Sequence, residues 1–208
     1  MFDLHVHTIY SLDGQEKPEK IAKYLKKKGF IGMAIVDHST LKGALKIKLK
    51  DFIIVPGMEI NTKKGHILAL GIKEEIISKE AKEIIEETRE KGGISVLAHP
   101  FRFSKPKIKA DAVEALNGRC FPVQNKRAYE YVMANKFPYT AGSDGHFLWE
   151  MGKAYAIINA KNVDDVLDAI MKKDVEIGIE NENSIWHPIK CKIYATYDFI
   201  KRGFKRVK

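Results

Sequence analysis

The residues FDLHVHT, at positions 2–8, open the chain with a pattern typical of a β-strand. Polar and apolar side chains alternate in it, which predicts Asp3, His5 and His7 on one face of the strand and the two apolar residues between them on the other. Two imidazoles on one strand face can bind a single metal ion. A lone histidine is more often solvated or hydrogen-bonded, so a metal site needs support from elsewhere in the chain.

Similar clusters of histidine and acidic residues recur along the chain, at or just after the end of an apolar run. They are Asp13-Gly14, Val36-Asp37-His38, Gly57-Met58-Glu59, Gly65-His66, Ala98-His99-Pro100 and Ser143-Asp144-Gly145-His146. Neighbouring imidazoles and carboxylates are costly to bury together unless a cation shares the space. The distribution therefore predicts one polynuclear metal site assembled from distant parts of the chain.

Strand and helix patterns alternate between these clusters. Helices are predicted at 18–29, 78–92, 125–135 and 162–172, and strands at 2–7, 31–36, 52–60, 66–70, 94–98, 113–116, 139–141 and 155–158. Ser78 is expected to cap the second helix, and Glu59 to face His66 across a hairpin. The alternation favours a parallel α/β barrel or sheet, in which functional residues lie at the carboxyl ends of strands. We therefore expect the polar clusters to terminate strands and not to begin them.

The C-terminal region carries a further amphipathic pattern. Apolar residues recur at helical spacing with lysines and arginines between them, which predicts a helix over about 189–206 that covers the barrel and has a solvated basic face. The apolar positions are Ile193, Tyr197, Ile200 and Phe204. With 208 residues, 45% apolar composition and no linker-like segment, the chain is expected to form a single domain over residues 1–208.

Composition bears on the compartment and the partners. Cys120 and Cys191 lack a CxxC spacing and are too few for a disulfide framework, which indicates packing residues in a reducing compartment. The sequence has no leader-like or membrane-spanning pattern, so we expect a soluble, cytoplasmic protein without a membrane partner. The formal net charge of +9 favours polyanionic partners, which include RNA, DNA and small phosphorylated metabolites, without choosing among them. The oligomeric state is not indicated.

Taken in order, the motifs resemble those of the PHP family, the polymerase and histidinol phosphatase superfamily of metal-dependent phosphoesterases. The resemblance spans residues 3–146, about two thirds of the chain. It implies an α/β fold, a distorted (β/α)7 TIM-like barrel, whose strand ends bind two or three divalent ions. The positions that match the family's ligands are His5, His7, Asp13, His38, Glu59, His66, His99, Asp144 and His146.

The resemblance also implies a division of these ligands. One ion is expected to bind His5, His7, Glu59 and Asp144, a second Glu59, His66 and His99, and a third Asp13, His38 and His146. Imidazole and carboxylate donors suit Mn, Zn or Fe. Asp13 stands where many relatives carry a histidine, and its harder carboxylate favours Mn or Mg at the third ion, or partial filling.

The expected chemistry is attack on phosphorus by a hydroxide that bridges two ions, with catalytic roles for Glu59, Asp144 and His146. Glu59 suits a bridging role because its two oxygens can contact two ions. Arg102 lies three residues beyond His99 and is expected to bind a substrate phosphate, with a simply solvated arginine as the alternative.

Several neighbouring residues are expected to support the site or the fold. Asp3 and Asp37 are expected to accept hydrogen bonds from the free ring N–H groups of bound imidazoles, with buried structural carboxylates as the alternative. Glu114 and Asn117 are expected to have structural roles. His187, which lies outside the motifs, is expected to be a packing or surface residue.

Three functions remain open at this point. The motif spacing and the basic charge favour a phosphoesterase that acts on a nucleotide or oligonucleotide. A histidinol-phosphate-type phosphomonoesterase is the alternative within the family, and a non-catalytic RNA-binding barrel subunit is the alternative from another class. The full set of buried ligands argues against a subunit that only binds RNA, because such a protein has no need of so many desolvated polar groups.

Overall fold

The computed structural model describes residues 1–103, 105–181 and 184–205. Its strands are β1 (Phe2–Val6), β2 (Gly32–Ile35), β3 (Ile53–Thr62), β4 (Gly65–Leu70), β5 (Ile94–Leu97), β6 (Ala112–Asn117), β7 (Tyr139–Gly142), β8 (Ala154–Ile157) and β9 (Glu176–Ile179). Its helices are α1 (Pro18–Lys27), α2 (Lys42–Lys46), α3 (Ala81–Glu90), α4 (Pro122–Asn135), α5 (Val163–Lys172) and α6 (Trp186–Lys201).

The strands form one sheet in the order β7-β6-β5-β4-β3-β2-β1-β8-β9. Strand β1 also meets the chain just after β7, through a parallel bridge between Val6 and Gly145 and a 3.0 Å hydrogen bond from the His7 amide to the Gly145 carbonyl. This contact brings β1 to β7 round into a nearly closed barrel, and the antiparallel pair β8 and β9 extends from β1. The predicted barrel-like α/β fold is confirmed.

The barrel departs from a regular repeat of β/α units. Strand β4 runs antiparallel to both β3 and β5, while the neighbouring pairs on either side are parallel. Within the described residues no helix separates β3 from β4 or β5 from β6. The fold is therefore a mixed barrel, and a strict (β/α)7 count is not supported.

The reversed direction of β4 changes where one polar cluster lies. His66 is the second residue of β4, so it begins a strand, and the expectation that every cluster terminates one was wrong there. Because β4 is antiparallel, its amino end lies beside the carboxyl ends of its neighbours. His66 therefore reaches the same end of the barrel as the other clusters.

The apolar core consists of three clusters of buried side chains. One cluster joins Leu4, Val55, Leu68 and Val96 of the sheet to Ile170 and other residues of α5. A second cluster lies under α3 and α4, and a third lies between α1 and strands β1 and β2. Burial of these side chains stabilises the folded chain by about 25 cal/mol for each Å² of apolar surface removed from water. The packed core in turn fixes the positions of the strand ends.

Helix ends agree with the predictions in part. Asn162, the first residue of the helix predicted over 162–172, caps α5, because its Oδ1 accepts a 2.9 Å hydrogen bond from the Asp165 amide. Ser78 does not cap α3, which begins at Ala81; instead the Ser78 amide donates to Glu87 Oε2.

The C-terminal helix is shifted toward the N-terminus from its predicted range. Its predicted apolar positions, Ile193, Tyr197, Ile200 and Phe204, are each more than half exposed, so the expectation that they pack onto the barrel was wrong. The helix ends at Lys201, just before Gly203, whose φ of +65° is left-handed. The last predicted helical position, 206, lies outside the described residues. Both cysteines are buried and free. Among the described residues, no helix has the length and apolar character needed to cross a bilayer.

Candidate metal centre

All nine predicted ligands meet at one end of the barrel. His5 lies on β1 and His7 just beyond it, Glu59 lies within β3, and His66 begins β4. The other ligands lie in loops, with Asp13 and His38 following β1 and β2, His99 following β5, and Asp144 and His146 following β7. The carboxyl ends of the parallel strands and the amino end of β4 thus supply a single site.

Glu59 lies between two sets of imidazoles and is almost fully buried. Its Oε1 is 2.7 Å from His66 Nδ1 and 3.3 Å from His99 Nε2. Its Oε2 is 3.2 Å from His7 Nε2, 3.5 Å from His5 Nε2 and 3.4 Å from His38 Nε2. Each carboxylate oxygen therefore faces a different group of nitrogen donors, as a bridging ligand requires.

The remaining carboxylates complete three groups of donors. Asp144 Oδ1 is 3.7 Å from His5 Nε2 and 3.6 Å from His7 Nε2. Asp13 Oδ2 is 3.1 Å from His146 Nε2 and 3.7 Å from His38 Nε2. Donor atoms lie within 4.8 Å of one another in each of the sets His5-His7-Asp144, Glu59-His66-His99 and His7-Asp13-His38-His146. His7 belongs to two of these sets, so it lies where two of them meet.

The hydrogen bonding of His5 and His7 fits metal ligation. His5 Nδ1 is 2.9 Å from Glu114 Oε1, and His7 Nδ1 is 3.3 Å from Ser11 Oγ. Both Nε2 atoms are buried, and neither has a hydrogen-bond partner of acceptable geometry among the described residues. A ring held through Nδ1 with its Nε2 directed at carboxylates is the arrangement expected of an imidazole that binds a cation.

The charge balance of the centre also calls for cations. Burial acts to lower the pKa of His5, but the carboxylates of Glu114, Asp144 and Glu59 outweigh it and raise that pKa well above its usual range. Burial is likewise outweighed at His7, where contacts with Asp144 and Glu59 raise the pKa to about 9. Without metal, protons on these rings balance the carboxylates. Divalent ions can replace those protons, so the donor set fits them.

Other ligands are held in the form that binds metal. Burial lowers the pKa of His38 to about 4 and also lowers that of His99, so both rings are neutral at pH 7. Burial acts to raise the pKa of Asp13, but His146, His7 and His38 outweigh it and hold that pKa below its usual range. At pH 7 the rings of His38 and His99 are therefore neutral and the carboxyl group of Asp13 is ionised, which are the forms that bind metal.

The predicted roles of Asp3 and Asp37 were wrong. Asp3 accepts hydrogen bonds from the Ser143 amide and hydroxyl and from the Gly152 amide, at 2.8, 2.6 and 2.7 Å. Asp37 accepts from the Thr8 amide and hydroxyl, at 2.6 and 2.7 Å. Both carboxylates thus fix the backbone that carries ligands. The register of β1 against β2 shifts between Asp3 and Val6, and such a bulge redirects side chains that simple alternation would place on one face.

Glu114 supports the centre, although only a structural role was predicted for it. Its Oε1 contacts His5 Nδ1, and its Oε2 accepts from the His99 amide at 2.8 Å and from Asn117 Nδ2 at 3.0 Å. Asn117 Nδ2 also lies 3.3 Å from Asp144 Oδ2. One sequence signal could have indicated this role, since Glu114 is an acidic residue within an otherwise apolar strand that follows the Ala-His-Pro cluster.

Two arginines line the opening of the centre, a cavity of about 210 Å³. Arg102 Nη1 donates to Asp144 Oδ2, so this residue is paired and not simply solvated. Arg119, which the sequence did not single out, is buried with its Nη1 2.8 Å from His146 Nδ1. Its Nε has no hydrogen-bond partner among the described residues. His187 packs outside the centre, against Trp149 and Cys191, as predicted.

The chain is similar to known proteins in both sequence and structure. A family model described as PHP domain matches residues 3–136, and one described as PHP-associated matches residues 122–175. An uncharacterized protein of Methanocaldococcus jannaschii is 32% identical over 178 residues, which cover 78% of this chain and 72% of that protein. A second protein of that organism is 39% identical over 116 residues, covering 48% of this chain and 67% of that protein.

Two solved structures illustrate the likeness in fold. A two-domain protein from Bacteroides vulgatus, described as containing a predicted PHP-like metal-dependent phosphoesterase, matches with a TM-score of 0.67 and 15% identity over 86% of this chain and 64% of that one. A lesion-specific endonuclease from Pyrococcus furiosus matches with a TM-score of 0.59 and 18% identity over 85% of this chain and 57% of that one. The chain therefore spans less than two thirds of either structure, and these likenesses concern the fold.

Proposed function

The chain belongs to the PHP-domain family of hydrolases, and from this premise we propose that it is a metal-dependent phosphoesterase that cleaves a phosphate ester of a nucleotide or oligonucleotide. The observation that carries the proposal is the position of Glu59, whose two oxygens face separate sets of histidine nitrogens at 2.7–3.5 Å. Such a carboxylate suits two neighbouring ions better than one.

The ligands would be divided among the ions as the donor sets suggest. His5, His7 and Asp144 would hold one ion, His66 and His99 a second, with Glu59 shared between them. Asp13, His38 and His146 would hold a third. Divalent ions bound there would supply a hydroxide nucleophile at neutral pH and would neutralise the phosphate oxygens that gain charge. The donors suit Mn, Zn or Fe, and Mg as well at Asp13.

The protein's own side chains would orient the ester. Arg102 lies against Asp144 at the opening of the centre, where its planar guanidinium can bind two phosphate oxygens. Arg119 lines the same opening next to His146 and adds a second fixed positive charge. Glu59, Asp144 and His146 would have the catalytic roles, because all three line the cavity into which the ester would bind. Burial of these groups keeps the local dielectric low and strengthens each charge interaction.

Two observations support a nucleotide or oligonucleotide over a smaller ester. The chain has a formal net charge of +9, which favours polyanions. One structural relative is named as an endonuclease, which is consistent with nucleic-acid chemistry on this fold. A histidinol-phosphate-type monoesterase predicts instead that small phosphomonoesters are the best substrates. An RNA-binding subunit predicts binding without any turnover.

Metal content and turnover together test the proposal. The purified protein would be stripped with a chelator, reloaded with Mn²⁺, Zn²⁺ or Fe²⁺, and assayed on p-nitrophenyl phosphate, bis-p-nitrophenyl phosphate and a 5′-phosphorylated oligonucleotide. We expect metal-dependent cleavage of the diester and the oligonucleotide. The variant His5→Ala should lose both metal and activity, whereas His187→Ala removes an imidazole outside the centre and should retain both.

Two results would reject the proposal. One is the absence of turnover on all three substrates with every metal. The other is full activity in His5→Ala, because the reaction would then not use this centre. Turnover confined to p-nitrophenyl phosphate would favour the monoesterase.

A further inference from the structure

Helix α6 presents an apolar stripe to solvent. Trp186, Ile193, Tyr197, Ile200 and Phe204 are each more than half exposed, and they follow one another at helical spacing into the turn after the helix. We call these five residues the α6 stripe. Single exposed apolar side chains are common, but a continuous row of large ones marks an interaction surface.

The helix is fixed in the orientation that exposes this stripe. Asp198, on the opposite face, accepts a 2.9 Å hydrogen bond from Gln15 Nε2 and pairs with Arg202 Nε at 2.6 Å. Cys191 is buried on the same inner face, and its carbonyl oxygen lies 3.4 Å from Arg119 Nη2. Turning the stripe inward would break the contacts with Gln15 and Arg119, so its exposure is built into the fold.

The charge around the stripe indicates the kind of partner. Lys190, Lys192, Lys201 and Lys205 are exposed along α6 and the turn that follows it. Between residues 184 and 205 the only acidic residue is Asp198, which is buried and paired. A second copy of the chain docked stripe to stripe would bring lysines together without an acidic partner. A polyanion that also carries flat aromatic groups satisfies both the lysines and the apolar row.

Helix α6 borders the metal centre through the face opposite the stripe. Gln15, which holds Asp198, lies two residues after Asp13. Arg119 contacts both the α6 backbone and His146 Nδ1. Phe147 and Trp149, which follow the Ser-Asp-Gly-His cluster, pack against Tyr194 with ring centroids 5.6 and 5.5 Å apart. A strand that leaves the centre would therefore pass over this aromatic cluster and cross α6 at Tyr194 to reach the stripe.

From these observations we infer that the α6 stripe and its flanking lysines form a binding surface for single-stranded nucleic acid that enters the metal centre. The inference rests on the proposed function. Unpaired bases stack on exposed aromatic rings while lysines follow the phosphates, and this combination binds single strands with little regard to sequence. The surface would raise affinity for long substrates without taking part in the chemistry.

Binding is measured first, on the full chain without metal. The probe is a fluorescent single-stranded DNA of about 15 nucleotides, which spans one such surface, titrated at several salt concentrations. Tyr197→Ala should weaken binding by at least about fivefold, and the double variant Lys192→Glu, Lys201→Glu should weaken it further and reduce the salt dependence. Tyr129→Ala and the pair Lys82→Glu, Lys172→Glu make the same chemical changes elsewhere and should bind as the parent does.

Turnover separates this surface from the centre. In Tyr197→Ala, KM for the oligonucleotide should rise by a similar factor, while kcat/KM for bis-p-nitrophenyl phosphate stays unchanged. Failure of the parent protein to cleave either substrate would reject the proposed function, and the binding experiment would still report on the surface.

Three outcomes would overturn the inference. The first is equal oligonucleotide binding by the α6 variants and their matched controls. The second is loss of binding to vesicles of phosphatidylserine and phosphatidylcholine in Tyr197→Ala with oligonucleotide binding intact, which would assign the stripe to a membrane surface. The third is a dimer in sedimentation experiments that Tyr197→Ala dissociates without affecting oligonucleotide binding, which would assign it to a second copy.

Discussion

The metal centre has an inner and an outer part that are built differently. The inner group, which we define as His5, His7, Glu59 and Asp144, has side chains no more than 3% exposed. The outer group, defined as Asp13, His38 and His146, comes from loops and is more open, with the Asp13 side chain 17% exposed. Carboxylates of the inner group face rings that carry protons when metal is absent, whereas His38 is neutral. The inner group therefore has the greater need for cations, and we expect it to fill first.

The largest effect is expected from the residue that joins the groups. Glu59→Ala removes a carboxylate shared by five imidazoles, the ligand that faces more of the centre than any other carboxylate of the described residues. Turnover should fall by more than about 100-fold, beyond the range for residues that only support ligands. Elemental analysis should show the loss of more than one ion per chain.

Asp13→Ala is the matched change in the outer group. It removes one charge-assisted contact with His146, and such contacts contribute about 1.5–3 kcal/mol. Only the third ion should be weakened, and turnover should fall far less than in Glu59→Ala. If the two variants lose the same ions and the same activity, the centre is one indivisible unit and the distinction between its parts is wrong.

A smaller effect on metal binding is expected from a change in Glu114, which orients ligands of the centre. Glu114→Gln keeps the size of the side chain but weakens the contact with His5 Nδ1 and the hold on the His99 amide. Metal affinity should fall by about 10–100-fold, as for other residues that orient metal-bound imidazoles. Titration with a competing chelator measures this loss.

The control for this variant is Glu130→Gln, which makes the same change on an exposed face of α4. Its affinity for metal should equal that of the parent. A Glu114→Gln protein that binds metal as tightly as the parent would mean that the orientation of His5 comes from packing alone.

The contrast between ligands and supports also shows what the sequence could predict. The ligands could be predicted because imidazoles and carboxylates clustered at the ends of apolar runs are costly to bury unless a cation lies among them. The barrel could be predicted because strand patterns and helix patterns alternate along the sequence. His66 was found from its cluster, and the predicted hairpin that brings it to Glu59 is confirmed, because β3 and β4 pair antiparallel.

The supports were harder to predict because their roles depend on long-range pairing. Asp3 and Asp37 adjoin ligands in the chain, yet both bind backbone groups, Asp3 mainly at residues about 140 positions away. Glu114 reaches His5 across 109 positions. Arg119 stands in a loop with no periodic pattern, and only the folded chain brings it to His146. Such contacts follow from the strand order and from a bulge in β1, and neither can be predicted from the local periodicity of the sequence.

The pH dependence of metal binding should also differ between the inner and the outer group, and it can be measured without a mutation. His7, with a pKa of about 9, carries a proton at pH 7 when metal is absent, and so does His5, whose pKa is also raised. A cation must displace these protons, so affinity at the inner group should rise with pH up to about 9. His38, with a pKa of about 4, has no proton to lose at pH 7.

Calorimetry in buffers of different ionisation enthalpy counts the protons released. At pH 7 the first ion bound should release at least one proton. The ion that Asp13→Ala weakens should release fewer. Equal release at both steps would contradict the assignment of the protonated rings to the inner group.

The smallest effect is expected away from the metal centre, where α5 packs on the apolar core. Asn162→Ala removes the cap of this helix and should lower the free energy of unfolding by about 1 kcal/mol, measured by urea denaturation. Metal content and turnover should stay unchanged, because α5 supplies no ligand. A change in metal content would mean that the apolar core sets the positions of the ligands more tightly than their own contacts do. The packing of the whole barrel, and not the loops that carry Asp13 and His38, would then cause the difference in metal binding between the inner and outer groups.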